Sequence, residues 1–561
     1  MATITGSAGN DILLGSPGDD VIETGGGADR IDAGAGDDVV RITGTVPYGN
    51  STAGQIDGGV GHDILDLSGW QGHLIDYDIG GGFYTLFQWP TGDNSPTQIG
   101  YFTGFEEVHL GPGVQYFSAY QEAGANVDPA TLQGWTIVGS EGRDQIVSGR
   151  GYDKIDAGAG DDYVDFWGGG DRVSLGDGND LFEVAQISGF HDHAEVDGGS
   201  GSDTFSVSST GLTQDIRFDL AAGTGQIGDT SFALTGIENL ESHTSYPPLS
   251  ARIIHLSGGD EANSLTVDGV GNPVLSGRGG DDVIQASGLQ GALTAFGGAG
   301  SDTIFGSNGA DWINGGGAAT GDTLPSATAD GGDQIWGGDG NDHIFGNSQF
   351  AVQGTSDGND LIQAGSGMDY ANGNGGNDSI YGGEGPDRLY GGAGDDWIDG
   401  DEGSDHINGN KGNDRIEGDA GNDEILGGQG DDWISGGQGL DTVSGNAGND
   451  VFFLGDSGGF ATTGPLANLT DVITDFQDGQ DKLNLNSVVS TILHPGSAAD
   501  FAGALGVART ALLTATSHDV AAVQVGDDTY LFYDNFNHAP EAAVRLINFS
   551  ASAIDSFDFT L

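Results

Sequence analysis

The stretch GNKGNDRIEGDAGNDEILGGQGDDWISGGQG repeats glycine and aspartate every nine residues, with one aliphatic residue two places after each aspartate. The step holds without a break through Asp360, Asp369, Asp378, Asp387, Asp396, Asp405, Asp414, Asp423, Asp432, Asp441 and Asp450. The aliphatic partners are Ile380, Leu389, Ile398, Ile407, Ile416, Ile425, Ile434 and Val443. Asp11, Asp20, Asp29 and Asp38 form a shorter array on the same ruler, and Asp144, Asp153, Asp162, Asp171 and Asp180 another. Asp282, the pair Asp302 and Asp311, and the pair Asp333 and Asp342 are further fragments. No helix tolerates this pattern, because each glycine costs about 1 kcal/mol against alanine there. A lone Gly-Asp pair is an ordinary turn; eleven in register are an architecture.

Charge narrows the partners. The chain has 84 acidic and 15 basic residues, a formal net charge of −69. Nucleic acid and anionic membrane surfaces both need basic patches and are excluded as partners. A disordered acidic tail is also excluded, because 36% of the chain is hydrophobic and falls in a fixed rhythm. A chain so charged repels itself when compacted, so its folded form needs bound cations. There is no cysteine, so any staples are not disulfides. The opening MATITGSAGNDILLGS has neither the basic nor the apolar region of a Sec signal. No apolar run approaches the ~20 residues of a membrane span. DFAGALGVARTALLTAT contains Arg509 and is expected to form an amphipathic helix.

The repeat resembles the G-G-x-G-x-D-x-U-x nonapeptide of the RTX, or hemolysin-type calcium-binding, family. GGAGDDWID at 391–399 matches every position. The resemblance implies an all-β fold, a parallel β-roll or β-solenoid in which two nonapeptides make one 18-residue coil. The residues agree with it. G-G-x-G-x-D turns the chain, with glycine supplying the positive φ values. The three residues x-U-x form a strand that points only U inward. A core one aliphatic residue wide buries little area, so hydrophobic burial alone leaves the fold marginal. Calcium fits this gap, because it takes six to eight oxygens from carboxylates and bare carbonyls. The implied metal ligands are the aspartates named above.

In this family the fifth repeat position also contributes oxygens, and alternate repeats stack on opposite edges. One edge of the long array carries Asn359, Asn377, Asp395, Asn413, Asp431 and Asn449 there, all oxygen donors. The other carries Met368, Pro386, Ser404, Asn422 and Leu440, of which only Asn422 fully matches. The expectation is a full ladder of Ca2+ ions on the first edge and a weaker one on the second.

Other chemistries fit less well. No G-K-[ST] follows the glycine loops, and the field repels phosphate. GDSGG at 455–459 imitates a serine-hydrolase elbow around Ser457, with His494, His518 and His538 downstream, but lacks a following helical pattern. No H-E-x-x-H zinc motif occurs. HDH at 191–193 is read as a loop. Carboxylate pairs for glycosidase chemistry cannot be singled out among 84 acids. Ice binding needs a threonine row, whereas the third loop position reads Ala393, Glu402, Lys411, Ala420, Gln429 and Gln438.

The ruler divides the chain into an array at 1–56, a wide segment at 57–143, a second array at 144–196, a second wide segment at 197–281, the main roll at 282–455 and a C-terminal region at 456–561. The two wide segments resemble each other, running from DGGVGHDILDLSG to TGFEEVHLG and from DGGSGSDTFSVSS to TGIENLESH. They are read as wider coils of one solenoid. Trp70, Phe83, Tyr84, Phe87, Trp89, Tyr101, Phe102 and Phe105 of the first are expected in its core, with sugar stacking as the alternative. The last region, with DVITDFQDGQDKLNLNSV and Asp558, Phe559 and Leu561 near its end, resembles the uncleaved signal of type I secreted RTX proteins. That implies type I secretion machinery as a partner and an extracellular or cell-surface location. No catalytic module stands apart from the solenoid. The expected function is a secreted, calcium-folded structural protein that assembles into a surface layer, matrix or filament. The alternatives are a polysaccharide-modifying enzyme with its site on the wide coils, or a calcium-dependent adhesive module contacting cell-surface polysaccharide.

Overall fold

The computed structural model describes residues 1–43, 54–70, 74–78, 83–88, 97–111, 116–119, 134–185, 192–208, 214–244, 253–317, 331–347, 358–454, 471–486, 488–513, 519–533 and 542–560. Ser457 and the whole of GDSGG, with Trp89, His191, His518, His538 and Leu561, lie outside them. The chain forms two compact units, Met1–Gly259 with Asn263–Val270, and Asp260–Ala262 with Gly271–Leu561. Nearly all described elements are parallel β-strands, with a single helix.

The second unit shows why the nine-residue period works. Arg388–Ala393 pairs in parallel with His406–Lys411, Arg388 opposite His406 and Leu389 opposite Ile407. The intervening strand Trp397–Asp399 pairs instead with Arg415–Glu417. Strands thus alternate between two sheets, and each pairs with the strand 18 residues on. The U residues Ile380, Leu389, Ile398, Ile407, Ile416 and Ile425 are fully buried. The strands of one sheet run beyond x-U-x into the turn, where Gly392 pairs with Asn410 and Ala393 with Lys411. The glycine turns therefore stack as closely as the strands. At Gly394 (φ +139°) a Cβ would sit 1.6 Å from the Gly376 carbonyl oxygen, so stacking as well as φ requires glycine.

In the first unit the same ladders run through Ala2–Thr5, Asp20–Glu23, Val39–Arg41, Ile64–Asp66, Glu107–His109 and Thr136–Ser140. Each wide segment also contains a feature absent from the repeat pattern, a three-stranded antiparallel meander. One is Leu74–Asp78, Phe83–Gln88 and Thr97–Thr103. The other is Ile216–Asp219, Thr224–Ile227 and Thr230–Thr235. Trp70, Phe102 and Phe105 are buried, and Phe102 meets Phe105 edge to face at 5.9 Å. The second segment buries Phe205, Phe218 and Phe232 together, with Phe205 and Phe218 centroids 4.6 Å apart.

Past the main array, Asp471–Ile473 and Lys482–Asn484 continue the two sheets. Asp500 caps the helix Phe501–Leu512, accepting the Gly503 N–H at 2.8 Å. Phe501, Ala504, Leu505, Ala508 and Leu512 lie buried on Ala521, Val523, Phe532 and Ala543, as expected of an amphipathic helix. Among the described residues no helix is long and apolar enough to cross a membrane.

Candidate metal centre

The sixth position of each repeat lies at the mouth of a strand, just where the turn ends. In the second unit the aspartates there form two ladders. The main-chain N–H of each donates to Oδ1 of the aspartate one coil further on. One ladder runs Asp282, Asp302, Asp333, Asp360, Asp378, Asp396, Asp414, Asp432, Asp450 and Asp481, with N–O distances of 2.8–3.1 Å. The other runs Asp311, Asp342, Asp369, Asp387, Asp405, Asp423, Asp441 and Asp471, at 2.7–3.0 Å. The apparent fragments at Asp302, Asp311, Asp333 and Asp342 are thus rungs of the same two ladders, separated by longer coils.

The first unit repeats the arrangement. Asp20 donates to Asp38, and Asp38 to Asp63; Asp11 donates to Asp29. Asp144 donates to Asp162, Asp162 to Asp180 and Asp180 to Asp203, while Asp153 donates to Asp171. Each wide segment adds a glutamate rung: Asp63 donates to Glu106 Oε2 at 3.0 Å and Asp203 to Glu238 Oε2 at 2.8 Å. Asp63, Asp203, Glu106, Glu238, Asp471 and Asp481 escape the ruler because insertions break the period. The signal for the first two was present, since DGGVGHD and DGGSGSD keep the G-G-x-G-x-D turn.

One oxygen of each rung is thereby used. The other, Oδ2, is buried without a hydrogen-bond partner among the described residues at Asp387, Asp396, Asp405, Asp414, Asp423, Asp432 and Asp441. So many orphaned buried carboxylate oxygens are exceptional in a native fold. The first glycine of each repeat makes the room: a Cβ on Gly391 would lie 2.3 Å from Asp396 Oδ2, and one on Gly409 2.2 Å from Asp414 Oδ2. Main-chain carbonyls crowd the same cradle, with Gly409 O 2.8 Å from the Gly391 Cβ position. Buried carboxylate and carbonyl oxygens with no competing nitrogen or sulfur are the donor set of a hard dication.

Electrostatics agree. Burial, then repulsion from neighbouring rungs, outweighs the N–H bond and pushes Asp396, Asp423 and Asp432 up to about 8. Asp387 rises to about 7 by the same causes. Bare of cations, the ladder resists ionisation.

The fifth-position residues form an outer ladder running in the opposite sense. Asn377 N donates to Asn359 Oδ1, Asp395 N to Asn377 Oδ1, Asn413 N to Asp395 Oδ1, Asp431 N to Asn413 Oδ1 and Asn449 N to Asp431 Oδ1, at 2.7–3.0 Å. On the other edge the series is broken: Met368 N reaches Asn341, Pro386 has no N–H, and Asn422 N meets Ser404 Oγ at 3.2 Å. These side chains clasp successive turns. A separate group, Asp399, Asp401 and Asp419, brings three carboxylates within 4.8 Å of one another. Burial and mutual repulsion hold Asp399 at about 6. Its signal was aspartate at the second repeat position, where Asp401 and Asp419 take φ of +63° and +59°. HDH forms no cluster among the described residues: Asp192 is buried, and His193 meets Ser231 Oγ at 2.9 Å.

A family model, the RTX calcium-binding nonapeptide repeat (4 copies), matches residues 5–40, 138–173, 294–319, 328–349, 355–389, 381–416, 390–425 and 426–457. No curated protein matches the chain. The matched segments carry ladder rungs in both units, including every rung from Asp360 to Asp450. The chain carries RTX-type calcium-binding nonapeptide repeats in both of its units.

Proposed function

We propose that this protein is a secreted structural protein whose roll folds on extracellular calcium and then assembles at a bacterial surface as a layer, matrix or filament. The observation that carries this reading is the continuity of the ladders. From Asp282 to Asp481 one row of buried carboxylates runs coil after coil, as suits an element whose task is its own folded length. The ladder aspartates would hold the ions through Oδ2, and the fifth-position residues would keep the turns in register. Type I export fits the same physics: in a calcium-poor cytosol the charged chain stays unfolded and threadable, and outside it folds.

Electron microscopy and sedimentation of the purified chain, with and without millimolar calcium, test the assembly. Ordered sheets or filaments that appear with calcium and dissolve on chelation are expected. A monodisperse monomer at millimolar calcium would contradict the assembly half of the proposal.

A further inference from the structure

The loops on one edge of the main roll carry a second, longer repeat. Their second position reads Asn374, Gly392, Asn410, Gly428 and Asn446. The asparagines take left-handed conformations, φ +72°, +72° and +63°, which asparagine tolerates better than most side chains. Asn374 and Asn410 each donate Nδ2 to the carbonyl two residues back, at 3.4 and 3.3 Å. Their N–H groups bond to Asn372 Oδ1 and Asn408 Oδ1, both at 3.0 Å. The Nδ2 bonds fix the direction of the Asn374 and Asn410 carboxamides. Gly392 between them leaves a notch of about 300 Å³.

Two independent features of this notch indicate its ligand. The first is its lining: four carboxamides (Asn372, Asn374, Asn410 and Gln429), Tyr390 and Lys411, with no carboxylate, in a chain holding 84 acids. Asn410 and Gln429 can donate and accept at once, while Asn374, whose Nδ2 goes to Asn347 O and Asn372 O, accepts through Oδ1, as the hydroxyl groups of a polyol require of their partners. A site for a cation would show carboxylates; one for a polyanion would need several basic groups. The second is the ring of Tyr390, which lines the notch and belongs to an outward row of rings. Tyr390 has Tyr370 at 5.3 Å on one side and His406 at 6.2 Å on the other. An aromatic surface suits the C–H face of a sugar ring while the amides take its hydroxyls. A net charge of −69 disfavours acidic sugars. The volume is at the lower end of small-molecule sites and fits one sugar unit.

We propose that the Gly392 notch binds one pyranose unit of a neutral saccharide, with Tyr390 against the ring and Asn374, Asn410 and Gln429 on its hydroxyls. The source is either a free sugar or a unit of a neutral surface glycan. The proposal rests on the roll being folded by calcium, since the notch is shaped by stacked turns.

The test uses the calcium-loaded full chain. Saturation-transfer NMR and calorimetry with glucose, galactose and mannose probe free sugars. Retention on immobilised dextran and galactomannan probes polymers, with polygalacturonate as the acidic control. Circular dichroism on the same samples reports the fold. Expected is binding to at least one neutral probe, weakened about tenfold in Tyr390→Ala and about three- to tenfold in Asn410→Gly, the worth of one hydrogen bond. Glycine at 410 keeps the left-handed backbone, so that variant should fold. Free-sugar binding alone indicates a soluble ligand, and retention on polymer indicates a glycan; both support the site. No neutral probe binding to a chain that is folded with calcium overturns it, as does undiminished binding in both variants or preference for polygalacturonate. A chain unfolded in calcium overturns the calcium reading, and this inference with it.

Discussion

Stripped of calcium at neutral pH and low salt, the protein is expected to lose most of its β-structure and to regain it when calcium returns. The two ladders place carboxylates one coil apart, Asp378 to Asp396 to Asp414 to Asp432 on one edge and Asp387 to Asp405 to Asp423 on the other. Strands in a sheet are about 4.8 Å apart, so each rung faces like charge on both sides at close range in a poorly solvated site. The opposing hydrophobic term is small, because each strand of the array contributes one inward aliphatic residue such as Ile398 or Ile416. Without cations the repeat is expected to open. Far-ultraviolet circular dichroism during chelation and calcium return is the check, and a spectrum that chelation leaves unchanged would contradict it.

The second large effect is that acid should partly replace calcium. In the cation-free roll, burial and neighbouring rungs raise Asp396, Asp423, Asp432 and Asp471 to about 8 and Asp387 to about 7. In the unfolded chain these groups titrate near 3.9. Between the two values the folded form binds more protons than the unfolded form, so stability falls as pH rises through that window. The cation-free roll should therefore be least stable above about pH 8 and gain β-structure as pH is lowered towards 4. With calcium bound the sign reverses, because the ion requires ionised carboxylates and acid displaces it. A pH series in the presence of chelator, read by circular dichroism, separates the two regimes. Equal disorder at pH 8 and pH 5 without calcium would show that ladder repulsion is not what opens the roll.

The regular part of this architecture was legible residue by residue. The period of nine located the buried Leu389, Ile398 and Ile407 and the rung aspartates between Asp360 and Asp450, because each coil repeats one environment. What the period could not show is where coils of different length rejoin the ladder. Glu106 and Glu238 serve as rungs through longer side chains at sites with no G-G-x-G-x-D turn, and the inserted strands at 74–78, 83–88 and 97–103, like those at 216–235, follow ordinary antiparallel pairing. Asp471 and Asp481 continue the ladders after the composition has changed, because the C-terminal strands pair with Thr442–Ala447 and Val451–Phe453. The fifth position was read as a row of ligands from its oxygens. From Asn359 to Asp431 one oxygen of each also clasps the next turn's N–H, a role that only the stacking distance reveals.

Anomalous scattering from crystals grown at limiting and at saturating calcium tests the central claim most directly. Ions strung along both aspartate ladders, within coordination distance of the Oδ2 atoms of Asp387, Asp396, Asp405, Asp414, Asp423 and Asp432, are the expected result. At limiting calcium the Asn359-to-Asn449 edge should fill before the Met368-to-Leu440 edge, since its turns are clasped without a break. A folded roll whose ladders hold no ions, or whose ions lie away from these carboxylates, would contradict the account.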